Sequence, residues 1–275
     1  MLFPRKIASS VTVFLLSAII GHSALAAEAD KFDVVGLSLG MTTEEAMQAL
    51  RDFGVMEESI SETRLSFFYS DGLKNDHRTE EFLYRVSAGK KPIINGMRRH
   101  EDGIVLYFSP PPEGGRLVGV ERNVINRIDP VTGAQFKEAV FDKYGAPTDE
   151  NGRAFNWKFG SGDKNCLSTS LDKTGVVLPE GGKNNKSILD MVYKKISGQY
   201  RLDLFRVSRI KSLEECANML EFTIPGDTQP ADRVRATMID IQSWVRAELA
   251  AGEEVARLQK EAIEKREGKG KKPTL

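Results

Sequence analysis

The stretch that decides the fold reads Gly36-Leu37-Ser38-Leu39-Gly40-Met41-Thr42-Thr43-Glu44-Glu45-Ala46-Met47-Gln48-Ala49-Leu50-Arg51-Asp52-Phe53-Gly54. Thr42 and Glu45 have the spacing of a capping box, in which the hydroxyl accepts from the third helical N–H and the carboxylate accepts from the N–H of the cap residue. Ala46, Met47, Leu50 and Phe53 then recur at helical spacing, and Gly54 supplies a left-handed stop. The pattern predicts a helix from Thr43 to Phe53. It returns 90 residues later, where Thr132-Gly133-Ala134-Gln135 is again a capping box. Phe136, Ala139, Val140 and Tyr144 form the apolar stripe there, and Gly145 followed by Pro147 ends the helix.

Outward from each helix the period changes from helical to two. Leu65/Phe67/Tyr69, Phe82/Tyr84/Val86, Ile104/Leu106/Phe108 and Leu117 to Val124 follow the first. Phe155/Trp157/Phe159, Leu189/Met191/Tyr193, Leu202/Leu204, Leu220/Phe222/Ile224 and Val234/Ala236/Met238 follow the second. Such alternation means antiparallel sheets with one face buried and one wet. Pro110-Pro111-Pro112-Glu113-Gly114-Gly115 cannot pair in a sheet and reads as a hairpin loop. Met97 to Asp102 reads as a charge-mixed turn before a strand at Gly103, and the alternation lapses between Asn126 and Pro130. The expected fold is therefore α+β: two related modules, 27–127 and 128–242, each a helix packed on an antiparallel sheet. A long C-terminal helix is expected over 243–267, where Trp244, Ala251, Val255, Leu258 and Ala262 form a narrow apolar seam. Residues 268–275 read as a disordered basic tail.

Residues 1–26 read as a secretory signal peptide: Arg5 and Lys6, an apolar run from Ile7 to Ile20, then Ala24-Leu25-Ala26 with cleavage between Ala26 and Ala27. A retained anchor is the alternative, opposed by Gly21, His22 and Ser23 ahead of the cleavage tripeptide. Ala27 and Glu28 stand where a lipoprotein would carry its acylated Cys. The expected location is periplasmic or secreted, with no stable membrane anchor. Lys plus Arg and Asp plus Glu are 39 each, and removal of Arg5 and Lys6 leaves a net charge of −2. No global basic field exists to hold a nucleic acid.

The two cysteines, Cys166 and Cys216, form an even count in an exported chain and are expected to be bridged. No cofactor is expected. No GxxxxGK[ST], GxSxG, HExxH or EF-hand pattern occurs. Asp71, Asp76, His77, Glu80 and Glu81 form the nearest polar cluster, but their spacing does not keep one face, so they read as a solvated turn and no metal site is expected. Phe67, Phe68, Tyr69, Phe82 and Tyr84 fall on neighbouring strands with both parities present. At least one ring must then point away from the face the helix covers, and these five residues are the expected binding surface, Phe68 foremost.

A helix-plus-strands unit opening with Gly36, Leu37, Leu39, Gly40, Met41, Thr42, Glu45, Ala46 and Leu50 resembles the β-lactamase-inhibitor-like group. That group includes the BamE-like (SmpA/OmlA) family. Phe136, Ala139, Tyr144, Gly145, Pro147 and Trp157 carry the likeness in the second unit. The resemblance implies a non-catalytic module that binds another protein of the bacterial cell envelope through an exposed sheet face or loops. The alternative is an envelope hydrolase acting through paired carboxylates.

Overall fold

A computed structural model describes residues 31–73, 76–90, 93–94, 97–98, 100–166 and 213–268. The signal peptide, the expected strands Leu189/Met191/Tyr193 and Leu202/Leu204, and the tail beyond Gly268 lie outside the described residues. Helix α1 (Thr43–Asp52) and helix α2 (Gly133–Tyr144) both begin on complete capping boxes, made by Thr42 with Glu45 and by Thr132 with Gln135. In each box the N-cap hydroxyl accepts from the third helical N–H at 3.2 Å. Hydrogen bonding to the Thr42 backbone N–H holds the Glu45 carboxyl below the ordinary carboxylate range.

The strands are β1 (Ser61–Leu65), β2 (Phe68–Ser70), β3 (Asp76–Arg78), β4 (Phe82–Lys90), β5 (Ile93–Ile94), β6 (Met97–Arg98), β7 (His100–Phe108), β8 (Leu117–Asn126), β9 (Asp149–Asn151), β10 (Ala154–Phe159), β11 (Asn218–Thr223) and β12 (Arg233–Ile239). Eight of them form one sheet in the order β1-β4-β7-β8-β12-β11-β10-β9, with every pairing antiparallel. The expectation of two helix-on-sheet modules is corrected by this sheet. β8 pairs with β12 from Gly119↔Ile239 to Ile125↔Arg233, so strands on both sides of α2 share one ladder. The physical reason is edge closure. Left apart, β8 and β12 would each present an unpaired edge, and pairing them removes both.

The core on one face of the sheet is continuous. It joins Leu37, Ala46 and Leu50 from the α1 region and Val140 and Tyr144 of α2 to inward residues of six strands. Tyr144 donates to the Asp33 carbonyl at 2.6 Å and Trp157 donates to the Gly145 carbonyl at 3.0 Å, so the polar tips of both rings are satisfied. The C-terminal helix, α3 (Ile241–Glu267), covers the one shared sheet rather than either of two modules. It starts two residues after β12, capped by Asp240, and its Ile241, Trp244 and Val245 pack on the opposite sheet face with Tyr84, Tyr107, Val118, Met219 and Ile239.

Two register shifts make that second core possible. Thr63 pairs with Arg85 and Arg64 with Leu83, which leaves Tyr84 as an extra residue in β4. Tyr107 pairs with Gly119 and Phe108 with Leu117, which leaves Val118 as an extra residue in β8. Both extra residues point at α3. β7 also starts inside the expected turn, at His100. Within it Asp102 is buried and accepts two hydrogen bonds from Arg122, at 2.9 and 2.6 Å. Cys166 and Cys216 lie at disulfide distance beside Met219 and Trp244, with Cα atoms 5.4 Å apart. Among the described residues, no helix is long and apolar enough to cross a membrane.

Candidate functional site

The strands β2 and β3 stand outside the main sheet as a two-stranded ribbon. Their register pairs Phe68 with Arg78, Tyr69 with His77 and Ser70 with Asp76. Directly opposed residues share a face and successive ones alternate, so the ribbon carries a different pair on each side. On one side the Arg78 guanidinium lies 3.9 Å from the centre of the Phe68 ring. On the other, the Tyr69 and His77 rings are stacked with centroids 5.2 Å apart. Thr79 fixes the base of the ribbon, its hydroxyl accepting from the Phe67 N–H at 2.9 Å and its N–H donating to the Phe67 carbonyl at 3.0 Å. At the turn, the Asp71 carboxylate accepts from the Leu73 N–H at 2.9 Å, and the Leu73 side chain is 64% exposed.

The C-terminal half of α3 reaches this ribbon. Arg266 donates to the Asp71 carbonyl at 2.7 Å, across 195 residues of sequence. Between the two elements lies a cleft of about 490 Å³ lined by Tyr69, Asp71 and His77 on one side and chiefly Leu258, Glu261 and Lys265 on the other. Leu258 and Ala262 make its α3 wall apolar, while Glu261 and Lys265 place opposite charges along it. Glu261 also accepts from Arg257, which bridges it to Glu254. That contact lowers the Glu254 carboxyl and raises Arg257 further above its ordinary value.

The five ring residues expected to form a binding surface occupy three different settings. Phe67 is buried, and its ring packs on Phe82 at 5.0 Å. Tyr84 is buried beside Tyr107 under α3, and half-buried Phe82 packs on the same core. Phe68 and Tyr69 are half-buried on opposite sides of the ribbon. Of the polar cluster, Asp71 and His77 meet at the cleft, whereas Glu80 and Glu81 are exposed beyond the ribbon. Among the described residues, no group of three or more His, Cys, Asp or Glu side chains is placed to hold a metal ion. Sequence reasoning missed Arg78 as the partner of Phe68 and missed the entire α3 wall. The period-two pairing of Phe68 with Arg78 was available as a signal once a ribbon was drawn through Asp71 to Arg78. Nothing local points from Tyr69 to Leu258. Comparison of the chain with protein-family models, curated proteins and solved structures returns no match.

Proposed function

We propose that this is a non-catalytic binding protein of the cell envelope, exported by its N-terminal signal and holding a partner protein with the β2–β3 ribbon and the adjoining end of α3. One observation carries the reading. Phe68 and Tyr69 present half-exposed rings on both sides of a ribbon that projects from the main sheet, each ring already held by a stacked side chain. Rings held in this way lose little rotamer freedom when a partner covers them, and partly exposed aromatic and Arg side chains are the residue types that dominate protein interfaces. The exposed tip at Leu73 and the partly apolar cleft continue that surface. Export is supported by the basic start, apolar run and Ala24-Leu25-Ala26 site, and by a cysteine pair at disulfide distance.

The test is a photo-crosslinking amino acid at position 68 or 73 of the full chain expressed in its own envelope, with capture products identified by mass. A discrete crosslinked protein is expected, lost on Tyr69→Ser or Phe68→Ser with the unfolding midpoint unchanged. Phe67→Ser serves as contrast, because that ring is 4% exposed and its loss should lower stability. The absence of any crosslinked protein above the level of a site on the exposed face of α1, in folded protein, overturns the proposal.

A further inference from the structure

Among the described residues the main sheet ends in β1 and β9, and these edges differ in how they would meet a second copy of the chain. β1 reads Ser61-Glu62-Thr63-Arg64-Leu65, with four of its five residues exposed and the fifth half-buried. Among the described residues no strand pairs with its outer side, which leaves that row of backbone groups as a template for another strand. The Arg64 guanidinium donates to the Glu62 carboxylate at 3.0 Å, so the two charges stand on the same side of the strand. Leu65 packs toward the core under α3, which puts Glu62 and Arg64 on the opposite side of β1.

An antiparallel strand pair about a two-fold axis at Thr63 sets residue i against residue 126 minus i of the second copy. Thr63 meets Thr63, Glu62 meets Arg64, and Arg64 meets Glu62. The charge order of β1 is thus self-complementary in the one arrangement that closes into a dimer. β9 is the opposite case. It reads Asp149-Glu150-Asn151, and the same operation about its centre sets Glu150 against Glu150, a like-charge pair that opposes self-association. One edge is guarded against a second copy and the other is matched to it.

We infer that β1 is an isologous interface, through which two copies join their sheets edge to edge by antiparallel β1–β1 pairing centred on Thr63. Charge complementarity commits the occupant: a second copy supplies both halves of the Glu62–Arg64 match, whereas an arbitrary strand supplies neither. Five paired residues make a small interface, so association is weak and rises with concentration. This interface uses β1 and not the ribbon, and it does not depend on the proposed partner.

Sedimentation velocity of the full, signal-processed chain over a wide concentration range tests it. A reversible shift from monomer to dimer mass is expected. Glu62→Arg places Arg opposite Arg twice in the dimer and should weaken it about tenfold, and Arg64→Glu should do the same with Glu. The double exchange Glu62→Arg with Arg64→Glu restores the match and should return the dissociation constant to within about threefold of the parent. Thr63→Cys should form a symmetric intermolecular disulfide under mild oxidation, and Glu150→Cys on the other edge should not. A monomer at all concentrations with no Thr63→Cys crosslink overturns the inference. So does a dimer indifferent to both single charge changes, or growth beyond a dimer.

Discussion

Replacing Gly133 by Ala and Gly252 by Ala is the same chemical change made in two helices, and the structure gives it opposite signs. Gly133 is the first residue of α2, where the loop between β11 and β12 wraps the helix start. The Gly133 N–H donates to the Gln229 carbonyl at 2.8 Å and the Ala134 N–H to the Asp227 carbonyl at 3.1 Å. A Cβ on Gly133 would lie 2.4 Å from the Gly226 oxygen and 2.5 Å from the Pro225 oxygen. That is about 1 Å inside ordinary contact, against backbone atoms that cannot rotate away. Overpacking of this kind costs about 1–3 kcal/mol, and loosening the two loop hydrogen bonds adds about 1 kcal/mol each. The helix propensity of Ala returns at most about 1 kcal/mol. The expected loss is about 2–4 kcal/mol. Gly252 sits on the exposed side of α3 with no atom within 4 Å of its built Cβ, so there only propensity acts, and Ala should gain about 0.5–1 kcal/mol. Urea unfolding of both variants, read from midpoints at constant slope, measures the difference. A Gly133→Ala protein within about 0.5 kcal/mol of the parent would show that the β11–β12 loop is not seated on α2, and would undo the account of how α2 is held to the shared sheet.

Other outcomes follow from individual contacts. Asp102→Asn should cost about 2–3 kcal/mol in the same assay, because Arg122, whose side chain is 23% exposed, loses its two-point carboxylate partner above the Phe53 ring. A cost below about 0.5 kcal/mol would mean the pair is solvated. Reduction of the Cys166–Cys216 pair, which spans 50 residues, should lower stability by roughly 4 kcal/mol on the chain-entropy account; thiol titration of the unfolded, unreduced protein should find no free sulfhydryl. Burial raises the Tyr144 hydroxyl above its ordinary value, against the opposing pull of Lys143. The unfolded chain therefore loses this proton first. The contribution of Tyr144 is complete below about pH 10 and is lost as the pH rises through the folded value. Tyr144→Phe should flatten that alkaline decline, and an unchanged profile would exclude Tyr144 as its source.

What was legible in the chain was local. Both helix starts follow from capping boxes, whose hydrogen bonds span three residues and need no tertiary partner. Strands such as β12 follow from alternation, because Val234, Ala236 and Met238 all enter one core. Joining β8 to β12 was not legible, since alternation states which face a strand buries and not which neighbour it takes. The shifts at Tyr84 and Val118 were hidden for the same reason: a bulge is defined against a partner strand. Reading Phe82, Tyr84 and Val86 as one continuous face therefore failed after Tyr84, which packs under α3 with Phe82 while Val86 enters the opposite core. Of the candidate site, the rings of Phe68 and Tyr69 were found by composition, but the α3 wall lies nearly two hundred residues away.

The division between rings that build the fold and rings left available comes from where α3 lies. Its first turns bring Trp244 onto the sheet, fully buried, with its ring 5.3 Å from Tyr107, whose ring in turn lies 6.1 Å from Tyr84. Those contacts take up Tyr84 and Tyr107 on the second face of the main sheet. Farther along, the same helix ends beside the ribbon, where Arg266 ties to the Asp71 backbone and Phe67 anchors the base on Phe82. A ribbon fastened at both its base and its turn cannot fold its remaining rings into either core, because each strand step moves a side chain to the other side. Phe68 is thereby committed to the Arg78 side and Tyr69 to the His77 side. The α3 layer that closes the sheet face to a partner is thus also the element that holds the ribbon out from it.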